Sequence, residues 1–102
     1  MAVGMLIAGE GVTQDLYMRM TEHMFGGYPM TEDQSPDGLI IHSAGESPMG
    51  FYIYDIWESK EKFMKFAEEK IAPAAQAAGG PDIQPVFYEI ETLVKGNAPA
   101  TA

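Results

Sequence analysis

Residues 2–9 form an almost unbroken apolar run closed by Gly9 and Gly11, the pattern of a buried strand. The period then changes. Across 13–25, Leu16, Tyr17, Met20 and Met24 recur at helical spacing. Thr13 offers a capping oxygen, Asp15 stands in the positive first turn, and Gly26-Gly27 stop the helix. The stretch 26–38, GGYPMTEDQSPDG, is too long for a simple connector and reads as either a functional lid or a disordered segment. It ends in the turn Ser35-Pro36-Asp37-Gly38, where proline presets φ and glycine takes the left-handed conformation. Leu39–Ala44 is a second strand, Gly45–Gly50 a hairpin loop, and Phe51–Trp57 a third strand. Alternation puts Phe51, Ile53 and Trp57 on one side of the third strand, with Tyr52, Tyr54 and Ile56 on the other. A strand nonpolar on both sides is covered on both sides.

Ser59 caps a second helix with Glu61 in its first turn. Phe63, Ala67, Ile71 and Ala74 share a face, and Phe66 lies at its margin. Pro73 has no amide hydrogen and disfavours a helical Ala72, which predicts a kink or break there. Gly79-Gly80-Pro81 ends the element, and a last strand runs over 83–94. Pro85 assigns that strand to a sheet edge.

The resulting order, βαββαβ, predicts an α+β fold of ferredoxin-like type. Right-handed crossovers bring strands one and three to the centre of a four-stranded antiparallel sheet, with two helices on one face. Residues 1–95 are expected as one domain and 96–102 as a flexible tail. Two helices cover only one face of such a sheet. The other would expose more apolar surface than soluble monomers carry, so a homodimer packed through the sheet face is expected.

Composition narrows the function classes. The 102 residues carry 15 acidic and 6 basic side chains, a formal charge of −9. Such a chain repels phosphates, which argues against nucleic acid and against an anionic membrane as partners. The sequence has no cysteine, which removes disulfides, thiolate metal sites and thiol nucleophiles. Arg19 is the one arginine, and no phosphate-binding glycine motif is present, so phosphoryl chemistry is not indicated. The N-terminal apolar run lacks a preceding basic residue and reads as a strand rather than an export signal, so a cytoplasmic location is the expectation. Eight methionines suit either ordinary core filling or a pliable pocket for a flat apolar ligand.

The string Y-D-I-W-E-S-K-E-K-F at Tyr54–Phe63 resembles the junction of strand three and helix two in the dimeric α+β barrel superfamily. Its antibiotic-biosynthesis-monooxygenase-like branch is the nearest in pattern. Gly38–His42 (GLIIH) and Ile71–Ala74 (IAPA) fit the same pattern. The resemblance implies two ferredoxin-like protomers packed by their sheets. It also implies an apolar pocket between sheet and helices with Trp57 on its wall. Members that degrade haem or oxidise polyphenols keep an asparagine on the first strand and a histidine in the second helix. Here Val3–Gly9 has no asparagine, and Phe66 occupies the histidine position. No cofactor is therefore expected. Haem would need His23 or His42 to reach the pocket.

Candidate chemistry gathers on the strands. Asp55, two residues before Trp57, is a carboxylate on an apolar central strand, suited to a general base. Its structural counterpart is a carboxylate satisfied by neighbouring hydrogen bonds. His42, mid-strand and sharing a face with Ile40 and Ala44, is a candidate proton shuttle or a satisfied structural histidine. Trp57 and Phe66 are candidate pocket walls, and Trp57 equally a core anchor. Tyr17 and Tyr54 are phenols able to orient a carbonyl or phenolate. His23 sits at the margin of the first helix's apolar face, where the negative helix end also suits it. Two histidines without a third ligand at metal spacing predict no metal site. Two function classes stand. One is a cofactor-independent monooxygenase, isomerase or cyclase acting on an aromatic or polyketide-like molecule. The other is a non-catalytic dimeric module that binds an apolar ligand or a partner protein.

Overall fold

A computed structural model describes residues 1–100; Thr101 and Ala102, the end of the expected tail, lie outside the described residues. The elements are β1 (Val3–Ile7), α1 (Gln14–Phe25), β2 (Leu39–Ser47), β3 (Gly50–Trp57), α2 (Lys60–Phe66), α3 (Ala72–Ala78) and β4 (Val86–Glu89). The sheet order is β2-β3-β1-β4, with every pairing antiparallel. This is the ferredoxin-like arrangement expected from the element order. Among the described residues no helix is long and apolar enough to cross a membrane.

Local chemistry sets the helix ends. The Thr13 hydroxyl accepts from the Leu16 amide at 3.1 Å and the Ser59 hydroxyl from the Lys62 amide at 3.2 Å. Gly26 and Gly79 close α1 and α3 in the left-handed conformation. Of the kink or break expected at Pro73, no break forms, but the regular helix is interrupted just before it. Ala72 is helical at φ −61°, ψ −46°, and its amide bonds the Ala67 carbonyl. That five-residue step widens residues 67–71 into a π turn, so the helix continues as α3 with Pro73 in its first turn, where a missing amide is tolerated.

Two strands differ in length from the sequence expectation. β2 runs to Ser47, reducing the hairpin loop to Pro48-Met49. β4 is confined to Val86–Glu89, because it pairs only with the short β1 and cannot extend back through Pro85. It lies at an edge, as Pro85 predicts. β2 also carries a bulge between Leu39 and Ile41. The extra residue puts Leu39, rather than Ile40, on the face of His42, and leaves Ile40 and Ile41 about half exposed.

The helix-facing side of the sheet carries the core. Met5, Trp57 and Phe63 are fully buried, with Phe66, Ile71 and Phe87 packed around them. The Trp57 ring meets Phe63 edge-on at 5.4 Å and Phe66 at 5.6 Å between centroids. The opposite face is open. Ile40, Ile41, Val86 and Tyr88 each retain roughly half of their surface there.

Candidate functional site

Between sheet and helices lies a cavity of about 590 Å³. Its walls are apolar in the main, and five of the eight methionines (Met5, Met20, Met24, Met30 and Met64) line it. Met30 and Pro36 come from the 26–38 loop, which therefore forms part of the wall. That loop is tied down at both ends. The Gln34 side chain donates to the Phe25 carbonyl at 3.3 Å, and Lys62 pairs with Asp37 at 2.9 Å. The Lys62 ammonium holds the exposed Asp37 carboxyl below the usual carboxylate range. Gly38, at φ +90°, is packed so closely on Lys62 that any β-carbon would collide with the lysine stem.

One polar cluster interrupts the apolar wall. His42 and Asp55 are direct partners across the β2–β3 ladder. His42 Nδ1 lies 2.7 Å from Asp55 Oδ1, and His42 Nε2 lies 2.5 Å from the Tyr17 hydroxyl. The second carboxylate oxygen accepts from Trp57 Nε1 at 3.2 Å. Asp55 accepts on both oxygens, so the network assigns the His42 proton to Nδ1 and leaves Nε2 to accept from Tyr17. Asp55 is 5% exposed. Burial, aided by the Tyr28 and Asp55 charges, pushes the Tyr17 phenol up to about 12. Near neutral pH it is therefore protonated, and its hydroxyl donates to His42 Nε2. Among the described residues, no buried side-chain polar atom lacks a partner.

The structure brings Tyr17, His42, Asp55, Trp57 and Phe66 to one cavity. Trp57 is buried, with its indole N–H donated to Asp55 and its ring packed on Phe63 and Phe66. Two other named residues stand apart. Tyr54 pairs with Leu6 and Ser43 on the open sheet face, its hydroxyl lying over Gly4, because strand alternation sends it opposite to Asp55 and Trp57. His23 is exposed in the last turn of α1, rotated away from the cavity lining. Sequence reasoning did not single out Tyr28 or Thr21. The Tyr28 ring meets Tyr17 edge-on at 5.7 Å, and the buried Thr21 hydroxyl bonds the Tyr17 carbonyl at 2.8 Å. Thr21 shares the Tyr17 helix face four residues on, a signal present in the helical period. Tyr28 lies in the loop, where no period exists to place it. Among the described residues, no group of three or more His, Asp or Glu side chains is placed to hold a metal ion.

No protein-family model and no curated protein matches the chain. Solved structures do match. A candidate antibiotic biosynthesis monooxygenase from Deinococcus radiodurans superposes with a TM-score of 0.53 at 15% identity, over 95% of this chain and 97% of that one. SnoaB, a cofactor-independent oxygenase from Streptomyces nogalater, superposes with a TM-score of 0.52 at 11% identity, over 93% and 96% respectively. At these identities the likeness speaks to architecture alone: the chain has the ferredoxin-like α+β fold of the antibiotic-biosynthesis-monooxygenase-like proteins.

Proposed function

We propose that the chain is a cofactor-independent monooxygenase acting on a planar aromatic or polyketide-like molecule held between sheet and helices. The observation that carries this reading is the Tyr17–His42–Asp55 relay set into an otherwise apolar cavity. The substrate we envisage has a ring CH₂ acidified by a conjugated carbonyl. The Tyr17 oxygen accepts the substrate proton as its own hydroxyl proton passes to His42 Nε2. Asp55 stabilises the resulting imidazolium. Dioxygen is the oxidant of the resulting carbanion. One of its atoms enters the product as a carbonyl, and the other leaves as water with the two displaced hydrogens. The imidazolium formed at His42 offsets the charge of the carbanion, and an apolar cavity excludes competing water while admitting dioxygen. The fold is shared with a cofactor-independent oxygenase, which supports the same class of reaction.

Anthrone is a direct probe, a tricycle whose central CH₂ lies opposite a carbonyl. The expected result is anthraquinone formation with oxygen uptake and one labelled atom from ¹⁸O₂. His42→Ala and Asp55→Asn should lower kcat by about 10²–10⁴ while leaving anthrone binding within a few-fold. Oxidation at the buffer rate with binding intact would instead support a non-catalytic ligand-binding module. One observation favours that second reading: both His42 nitrogens and both Asp55 oxygens are already satisfied within the protein.

We infer further that a second copy of the chain covers the open sheet face, where Ile40, Ile41, Val86 and Tyr88 stand half exposed beside Tyr54. Light scattering at micromolar concentration should give twice the 11.1 kDa chain mass. A species of the chain mass would overturn the dimer.

A further inference from the structure

The cavity has a charge character that the relay does not explain. Among the described residues, no lysine or arginine lines it. Its one buried carboxylate, Asp55, is already paired with His42 and Trp57. The lining includes two further acids, Glu68 from the π turn and Asp82, whose carboxylate accepts from the Gln84 side chain at 3.2 Å. Both acids are exposed. Three of the chain's six cations are committed elsewhere, and Lys65 and Lys70 line a separate, smaller groove. Arg19 is held by Asp15 and the Ala78 carbonyl, Lys62 by Asp37, and Lys60 lies over the Phe87 ring at 4.7 Å.

An anionic group entering this space loses its hydration and meets no guanidinium or ammonium to replace it. Desolvating a carboxylate is costly unless a partner restores the interaction. Glu68 and Asp82 add repulsion at the mouth, within a chain of net charge −9. A phosphate or pyrophosphate, as in a carrier-bound or coenzyme A thioester, fares worse still, because recognition of such groups relies on arginine or lysine.

We propose that the cavity selects against anions: its ligand is a neutral or cationic ring molecule, free of carboxylate and phosphate and not tethered to a phosphate-bearing carrier. Glu68 and Asp82 are the specificity determinants at the mouth. The inference rests on the cavity being the ligand site, as proposed above, and does not depend on whether the bound molecule is turned over.

Three ring-matched probes test it by titration calorimetry at pH 8: 6-hydroxy-2-naphthamide, 6-hydroxy-2-naphthoate and 6-aminomethyl-2-naphthol. The amide and the ammonium compound should bind, and the carboxylate should bind at least about tenfold more weakly than the amide. Glu68→Lys should strengthen carboxylate binding by about threefold or more while leaving the amide within about twofold. Asp82→Lys provides the same reading from a loop position if the helix variant is poorly folded. Carboxylate affinity within about threefold of the amide in wild type would overturn the charge rule and leave the cavity as a ring site. An unchanged carboxylate affinity in both lysine variants would overturn the role of the two acids. Binding by none of the three would overturn the cavity as a site for such rings, and the charge rule with it.

Discussion

Replacing Asp55 by asparagine perturbs the relay at its most buried point. The carboxylate receives two donors, His42 Nδ1 at 2.7 Å and Trp57 Nε1 at 3.2 Å, on two different oxygens. Asparagine offers one oxygen and one NH₂, so either one N–H faces the NH₂, or His42 moves its proton to Nε2 and the Tyr17 hydroxyl loses its acceptor. Leaving a buried N–H unsatisfied costs about 1–3 kcal/mol, and losing the charge on the remaining bond costs about 1 kcal/mol more. Relief from burying a carboxylate at 5% exposure offsets part of this, for a net loss of about 2 kcal/mol. In a domain of this size that loss lowers Tm by roughly 8–16 °C. A double-mutant cycle with Trp57→Phe separates the hydrogen bond from the packing. The volume lost on replacing the indole is common to both backgrounds and cancels, leaving a coupling of about 1 kcal/mol. The assay is thermal and urea unfolding of the four proteins at pH 8. An Asp55→Asn variant melting within about 2 °C of wild type would refute the reasoning, as would two effects that add to within about 0.3 kcal/mol.

Other consequences follow from the same geometry. Tyr17, with its phenol raised to about 12 in the fold, is protonated when the unfolded chain has begun to ionise at its ordinary value of 10.0. The unfolded state therefore binds fewer protons between those values, and stability falls as pH rises through them. Alkaline titration should show one tyrosine ionising late, and Tyr17→Phe should remove both that step and its share of the alkaline loss. Lys62→Ala should leave Tm nearly unchanged, since its partner is solvent-exposed, yet speed proteolytic cleavage within 26–38 by freeing Asp37. Phe63→Ala should cost about 3–5 kcal/mol at a 2% exposed site, whereas its neighbour Met64, 48% exposed, should cost under about 1 kcal/mol as Met64→Ala; urea unfolding reads both.

Much of the architecture was legible along the chain because its causes are local. Thr13, Ser59, Gly26 and Gly79 set helix ends by hydrogen bonding and backbone freedom within a few residues. Pro85 marked an edge because it lacks a donor. Alternation on β3 separated Asp55 and Trp57 from Tyr52 and Tyr54, so the exclusion of Tyr54 from the cavity was already implied by its parity. Pro73 signalled an irregular helix without its form: the chain stays helical through a π turn over residues 67–71 rather than breaking. β4 is shorter than its alternating pattern because β1 offers only a short ladder.

The sequence by itself determined the order of elements, the lining chemistry of each strand face and the absence of thiol and arginine chemistry. The tertiary structure alone decided that His42 stands opposite Asp55 and that Tyr17 reaches the same point from α1. Strand register is set by the bulge at Ile40 and by side chains distant in sequence, and a slip of one residue would turn His42 to the open face. Local periodicity records which face a residue prefers. It holds no information about which residue of another strand will lie across from it.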